Sequence, residues 1–96
     1  MYRVRWRDIA LAELEDIAQY IAEDNPYAAM KVVSDIHAAT KNMIAFMPRM
    51  FPEAHDNHEV RMCALVRPYL IFYRILEDDN TVEIMDVIHA ARNIRG

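Results

Sequence analysis

The chain has 96 residues, enough for one hydrophobic core but too few for two, so we expect a single domain over residues 1–96. Its hydrophobic fraction of 54% excludes intrinsic disorder, and its net charge of −4 gives no overall attraction to nucleic acid. One cysteine excludes an internal disulfide, and no apolar run approaches the roughly 20 residues of a membrane span. We therefore expect a cytoplasmic protein without membrane contact.

The N-terminal half of the chain predicts one strand followed by two helices. Residues 2–6 alternate aromatic or aliphatic side chains with arginines, which is the period of a half-buried strand. Asp8 is expected to cap a helix over residues 8–23. Asn25 is expected to cap a second helix over residues 26–47, which begins and ends beside prolines.

The C-terminal half predicts three strands. The expected elements are a loop over 48–57, strands over 59–66, 69–75 and 81–88, a turn at Arg67–Pro68, and a polar hairpin tip over 77–80. In the strand over 59–66, Val60 and Met62 belong to one face, and Arg61 belongs to the outer face. The strand over 69–75 is apolar on both faces, which is typical of a central strand.

The predicted order is therefore β-α-α-β-β-β. Helices grouped before strands indicate an α+β fold, in which a helical hairpin packs on one face of a small, mostly antiparallel sheet. Gly96 is the single glycine, which excludes a glycine-based phosphate loop.

Arginines near the predicted strands are the first candidates for binding. Arg61, Arg67, Arg74 and Arg92 form a basic patch if one exposed sheet face gathers them, and otherwise they are solvated residues paired with nearby glutamates. His89 leaves the last strand close to Arg92, so it is either a general acid beside an anion clamp or a structural histidine.

Other candidates have plainer interpretations. His55 and His58 have a spacing seen in metal sites, but they lie in a predicted loop without cysteine ligands, so no metal site is expected. Cys63 has no activating neighbours and is expected to be a buried or half-buried small residue. Soft apolar residues near the end of the second helix suit either the core or a partner-binding groove, and the core is favoured: Met43, Phe46, Met47 and Met50.

A series of segments covering residues 2–93 resembles a known family. These segments are Val4-Arg5-Trp6 before an Ala/Leu/Glu-rich helix, Asn25-Pro26, Phe46-Met47-Pro48, Pro68-Tyr69-Leu70-Ile71-Phe72-Tyr73-Arg74-Ile75, Val82-Glu83-Ile84 and Val87-Ile88-His89-Ala90-Ala91-Arg92. In order and spacing they resemble the ParE/RelE superfamily of bacterial toxins. The family fold, a helical hairpin on a small antiparallel sheet, agrees with the periodicity.

The resemblance implies two competing activities. ParE-like toxins are understood to inhibit DNA gyrase through a protein contact, whereas RelE-like toxins cut mRNA in the ribosomal A site. The long second helix, the Asn25-Pro26 opening and the terminal His-Ala-Ala-Arg resemble the ParE branch, and the net charge of −4 points the same way. We therefore favour gyrase inhibition, with target contacts from the basic residues Arg61, Arg67, Arg74 and Arg92.

Two alternatives stay open. A nuclease acting on ribosome-bound mRNA needs an acid, a base and phosphate clamps, and the resemblance implies His89, Glu59 and the pair Arg61 and Arg67 for these roles. The second alternative is an inactive relic that only binds its antitoxin and helps it repress their shared promoter.

The resemblance also implies a cognate antitoxin whose C-terminal segment wraps the toxin. We expect its apolar helix to bind the outer faces of the two helices, together with Leu11, Tyr20 and Tyr27, which the core stripes leave unexplained. The resemblance also implies that this segment can add a strand to a sheet edge of the toxin. Promoter DNA is expected to be contacted only through the antitoxin. No cofactor and no metal are implied.

Overall fold

The computed structural model describes residues 1–92, except for the side chain of Arg92. Its helices and strands are β1 (Arg3–Trp6), α1 (Asp8–Ala22), α2 (Pro26–Ala38), β2 (Glu53–Ala54), β3 (Asn57–Cys63), β4 (Tyr69–Leu76) and β5 (Thr81–His89). A π-helical segment, Ala39–Ile44, continues α2, and short 3-10 turns span Glu77–Asp79 and Ala90–Arg92. The predicted order of elements is confirmed, with one additional strand, β2.

The sheet is mixed, and its strand order is β1-β5-β4-β3-β2. The pair β1 and β5 is parallel, while the other three pairs are antiparallel. β4 lies in the middle, as its apolar character on both faces predicted. The α+β class and the mostly antiparallel sheet are therefore confirmed.

The core lies between the helical hairpin and one face of the sheet. Its buried members come from both layers: Ala10, Leu14, Ile17, Ile36, Ala39, Ile44, Ala45, Phe51, Cys63, Tyr69, Ile71, Tyr73, Val82, Ile84 and Val87. A carboxylate ties the layers together, because Glu13 of α1 accepts a hydrogen bond from the backbone N–H of Val87 at 3.1 Å. The opposite face of the sheet carries no helix in the part of the chain that is described.

A side-chain hydrogen bond caps the N-terminus of α2 but not that of α1. The Asn25 side chain accepts a hydrogen bond from the Ala28 N–H at 3.1 Å, which confirms the predicted cap of α2. The predicted cap of α1 is wrong, because Arg7 occupies the cap position without a side-chain bond and Asp8 is the first helical residue. Asp8 still lies where the positive end of the helix dipole favours an acid.

The end of the second helix differs from the prediction. The π-helical segment shifts the buried stripe by one residue, as the Ala45 N–H donates to the Thr40 carbonyl at 2.9 Å, five residues back. Ile44 and Ala45 are consequently buried. The expected core placement of the soft residues is wrong, since all four are exposed: Met43, Phe46, Met47 and Met50.

The region between the helices and β4 needs three corrections. The predicted loop contains β2, the predicted strand over 59–66 ends at Cys63, and its faces are reversed. Arg61 and Cys63 pair with Tyr73 and Ile71 of β4, so they belong to the helix-covered face. Arg61 is tolerated there because carbonyl groups at the rim of the core accept its hydrogen bonds.

Both turns in this half are confirmed. Arg67–Pro68 forms the connection between β3 and β4, with a cis peptide bond. The polar tip between β4 and β5 is a 3-10 turn closed by Asn80, whose φ of 49° lies in the left-handed region that asparagine tolerates. No helix within residues 1–92 is long and apolar enough to cross a membrane.

Candidate functional site

The four residues of the nuclease hypothesis are divided between two ends of the sheet. Arg61 pairs in register with Tyr73, whereas His89 pairs with Tyr69, four residues away along β4. At about 3.3 Å per residue, this separates Arg61 from His89 by roughly 13 Å along the strands alone. Glu59 lies two residues farther from His89, about 20 Å in total. The predicted acid and base therefore do not meet.

Arg61 is a structural residue. Its Nη1 donates to the Phe51 carbonyl at 2.7 Å and to the Arg49 carbonyl at 3.4 Å, and its Nη2 lies 3.8 Å from a Glu53 oxygen. Its side chain is only 20% exposed. These bonds hold the segment between α2 and β2 against β3, and they leave little of the guanidinium for an external phosphate.

His89 and Arg67 lie together at the other end of the sheet. The His89 ring packs edge-on to Tyr69 at 5.3 Å, and its Nδ1 accepts the Ala91 N–H at 3.1 Å. At this end of the sheet, the Ala90 N–H donates a hydrogen bond to the Pro68 carbonyl. This bond brings Arg67, the residue before Pro68, to the same end as His89. Arg67 is exposed, and within residues 1–92 no acidic group pairs with it.

Arg74 lies on the open face of the sheet, in an ion ladder across three strands. Glu83 of β5 accepts from the Nε of Arg74 on β4 at 2.7 Å and from Arg5 on β1 at 3.2 Å. Burial pushes the pKa of the Glu83 carboxyl upward, but the bonds and charges of the two arginines outweigh burial and lower that pKa below its usual value. Arg74 is thus neutralised by a carboxylate that stays ionised.

The predicted basic patch does not assemble from the residues described. Arg61 belongs to the helix-covered face, Arg74 to the open face and Arg67 to a turn, while the side chain of Arg92 lies outside the described residues. The open face instead carries two rows of half-buried side chains beyond the ion ladder: Met62, Phe72 and Asp86, and then Leu70 and Ile88. It is a mixed apolar and ion-paired surface.

The outer side of the helical hairpin forms an apolar groove of about 580 Å³. Its lining comes from both helices: Ala18, Gln19 and Ala22 of α1, with Pro26, Ala29, Met30, Val33 and Ser34 of α2. Small side chains on α1 leave the space, and Met30 remains 70% exposed beside it. We call this feature the hairpin groove.

The three residues expected to bind the antitoxin are all exposed, and none of them lines the hairpin groove. Leu11 lies seven residues before Ala18, on the same side of α1, and Tyr27 adjoins Pro26 in the first turn of α2. Tyr20 lies nine residues after Leu11 and so projects from the opposite side of α1. The structure therefore places Leu11 and Tyr27 beside the groove and Tyr20 away from it.

Comparisons with known proteins agree with this architecture. The family model described as the ParE toxin of type II toxin-antitoxin systems matches residues 4–94. The chain belongs to the ParE toxin family. It is 36% identical over 88 residues to the Sinorhizobium fredii protein named "Putative toxin Y4kP", covering 92% of this chain and 88% of that protein.

Two solved structures share the ParE-family fold seen here. A chain of the chromosomal ParDE system from P. aeruginosa superposes with a TM-score of 0.75 at 23% identity, covering 93% of this chain and 96% of that one. A chain of the RelBE2 toxin-antitoxin complex from Mycobacterium tuberculosis gives 0.70 at 19% identity, covering 92% and 96%. At these identities, the likeness concerns the fold alone.

One feature of this ParE-family chain, the hairpin groove, was not predicted from the sequence. Its lining residues, such as Ala18 and Val33, carry no distinguishing signal in the sequence, because a shallow groove and a core share one apolar pattern. Arg3, Arg5 and Arg7 form an exposed row along β1, as the alternation in the first residues of the chain predicted.

Two candidate residues remain, His58 and Cys63, and the contacts of both are structural. His58 Nδ1 lies 3.1 Å from a Glu53 oxygen, and residues 1–92 contain no group of three or more histidine, cysteine or acidic side chains placed to hold a metal. Cys63 is fully buried, and burial raises the pKa of its thiol, which keeps it in the unreactive protonated form.

Proposed function

We propose that this ParE-family toxin inhibits DNA gyrase through a protein contact and that a cognate antitoxin neutralises it. The observation that carries the proposal is the separation of the nuclease residues. Attack by a 2′-hydroxyl on a phosphate needs a base, an acid and cations around one phosphorus atom. About 20 Å separates Glu59 from His89, and Arg61 is bonded to backbone carbonyls.

The open face of the sheet supports a protein target. Phe72 and Met62 lie side by side at its centre, half-buried, with Leu70 and Ile88 in the next row. Aromatic and methionine side chains are enriched in the centres of protein interfaces, where unpaired charges are depleted. The ladder around Glu83 satisfies its arginines internally, so this part of the face does not offer free cations to RNA.

The hairpin groove supports antitoxin binding. Its apolar lining suits one face of an amphipathic helix, whose residues at i, i+3 and i+4 would contact the small side chains of α1 and the exposed Met30. Leu11 and Tyr27 flank this groove and remain proposed antitoxin contacts. Tyr20 remains a proposed contact only for a segment that continues around α1.

Expression in cells that lack the antitoxin gene tests the proposal. We expect growth arrest, together with loss of negative supercoiling or linearisation of a reporter plasmid, before pulse-labelled protein synthesis declines. Protein synthesis that stops first, with intact plasmid topology, would support the ribosome-dependent nuclease instead. Normal growth with soluble, folded toxin would identify an inactive relic that serves only in antitoxin binding and promoter repression.

A further inference from the structure

Two acidic residues of β5 lie on the open face of the sheet, and their surroundings differ. The Glu83 carboxylate accepts hydrogen bonds from Arg74 at 2.7 Å and from Arg5 at 3.2 Å. Asp86 is half-buried, and its side chain forms no hydrogen bond or ion pair within residues 1–92. The chain therefore satisfies Glu83 itself and leaves the oxygens of Asp86 able to accept hydrogen bonds from another molecule.

The arginines closest to Asp86 in the sheet do not pair with it. Phe72 pairs with Asp86 in register, so Arg74, two residues along β4, is its diagonal neighbour. The Nε of Arg74 is bonded to Glu83 instead. Arg7 comes directly after β1, the strand on the other side of β5, and forms no ion pair in the described part of the chain.

Asp86 lies among apolar side chains. Phe72 and Met62 extend its row across the sheet, and Ile88 and Leu70 form the next row. A target that covers these side chains also removes water from Asp86. Because a carboxylate buried without a compensating donor is unfavourable, a stable complex requires the target to bring a cation to this point.

Phe72 determines which cation suits this point best. Side chains that lie directly opposite each other on one face of an antiparallel pair have Cβ atoms about 4.5–5.5 Å apart, so one bound group can contact both. A guanidinium is planar, and it can stack on the Phe72 ring while its N–H groups donate to Asp86. A lysine ammonium is a compact and strongly hydrated charge, which suits the ring less well.

The same chemistry favours a protein target over the other occupants. A nucleic acid would bring phosphates towards the Asp86 carboxylate, which repels them. A second copy of this chain offers Arg49 between the exposed side chains of Met47 and Met50, but Arg49 is already paired with Glu77 at 3.1 Å. The site therefore fits an arginine supplied by a different protein.

We infer that Asp86 and Phe72 together bind an arginine of the toxin's protein target, and that apolar side chains flank this arginine. Its guanidinium donates to Asp86 and stacks on Phe72, while its apolar neighbours cover Met62 and Leu70. The inference rests on the proposed function, because it takes the open face as the target-binding surface. It does not require the target to be gyrase.

Growth arrest by the induced toxin tests the pair of residues whatever the target is. The readout is the toxin level, measured by quantitative immunoblot, that halves the growth rate of cells lacking the antitoxin. Asp86→Asn loses the charge and should need about tenfold more toxin, and Phe72→Leu loses only the aromatic face and should need about threefold more. The matched controls Asp16→Asn and Phe46→Leu, at exposed positions outside the sheet, should match the wild type. Full potency of Asp86→Asn would overturn the inference.

The double variant Asp86→Asn/Phe72→Leu tests whether one group contacts both residues. If a single arginine binds both, the loss of potency should be clearly smaller than the product of the two single losses, because the first substitution already weakens the second contact. Losses that multiply would show two independent contacts and would overturn the inference.

Thermal unfolding and sedimentation separate this role from the alternatives. Asp86→Asn keeps the shape of the side chain and breaks no bond within residues 1–92, so it should unfold within about 3 °C of the wild type. Much earlier unfolding would show a structural role and would overturn the inference. A wild-type dimer that Asp86→Asn dissociates would identify a second copy as the occupant and would overturn it as well.

Plasmid supercoiling in the same cells distinguishes this inference from the proposed function. If supercoiling is unimpaired while Asp86→Asn and Phe72→Leu lose potency in the expected pattern, the gyrase contact fails and the arginine site stands. If supercoiling is lost equally with wild type and Asp86→Asn at matched toxin levels, gyrase inhibition stands and the arginine site fails. A folded wild type that arrests no growth would overturn both.

Discussion

The two outer faces of this toxin, the helical hairpin and the open face of the sheet, differ in the charged groups that they carry. The hairpin groove is lined mostly by small and apolar side chains, whereas the open face of the sheet combines an apolar centre with the ladder around Glu83. A helix can bind the hairpin groove by burying apolar surface. A partner of the open face must also complement the charges of the ladder around Glu83. Because the two lie on opposite sides, an antitoxin confined to the groove leaves the open face accessible. Neutralisation by occlusion then requires a partner that reaches around an edge of the sheet.

Removal of a core side chain under the helices should have the largest effect. Ile44→Ala should lower the free energy of unfolding by about 2–5 kcal/mol, because Ile44 is fully buried by the π-helical segment. Chemical denaturation measures this change. The neighbouring Met43→Ala serves as the control and should cost less than about 1 kcal/mol, since Met43 is exposed. Equal losses for the two variants would contradict the register described for this segment.

Loss of the buried carboxylate should be the next largest effect. Glu83→Gln should destabilise the protein by about 1.5–3 kcal/mol at neutral pH, because two charge-assisted hydrogen bonds are lost or weakened. Glu83 has a lowered pKa when folded, so its stabilising contribution is complete above the unfolded value of 4.5 and is lost as the pH falls through the folded value.

Denaturation curves at several pH values test the direction of this pH dependence. The difference in stability between wild type and Glu83→Gln should be largest near neutral pH and should shrink below pH 4.5. Glu59→Gln, at an exposed position, is the matched control and should track the wild type. A gap that widens in acid would show that the arginines do not hold Glu83 in its ionised form.

Loss of the helix cap beside the hairpin groove should have the smallest effect on stability among these three substitutions. Asn25→Ala removes the side-chain acceptor of the Ala28 N–H and should cost about 1 kcal/mol. Thermal unfolding measures the loss, and Asn42→Ala at an exposed position provides the comparison. If Asn25→Ala is as stable as the wild type, the cap contributes nothing to the hairpin.

Local signals predicted most of the fold. Alternation marked β1, and the Asn25 cap is a hydrogen bond between residues that are three apart in the chain. The π-helical segment could not be predicted, because the one extra residue in its turn does not visibly change the spacing of apolar residues in the sequence. The inward position of Arg61 was missed because the Phe51 carbonyl, ten residues away, makes it tolerable.

The candidate site was harder to predict than the fold. Which arginines share a face depends on strand register, and the separation of Arg61 from His89 follows from pairings across β4. Neither can be deduced from spacing along the chain. The arginine row of β1 was visible in the sequence as an exposed face, but the position of β1 at the edge of the sheet follows only from the strand order.

Supercoiling by purified gyrase, titrated with this toxin, tests the central claim most directly. We predict inhibition by the wild type and by Met30→Ser in the hairpin groove, and about tenfold weaker inhibition by Phe72→Ser on the open face, provided that both variants remain folded. Unimpaired supercoiling at toxin concentrations that stop a parallel in vitro translation reaction would contradict the account.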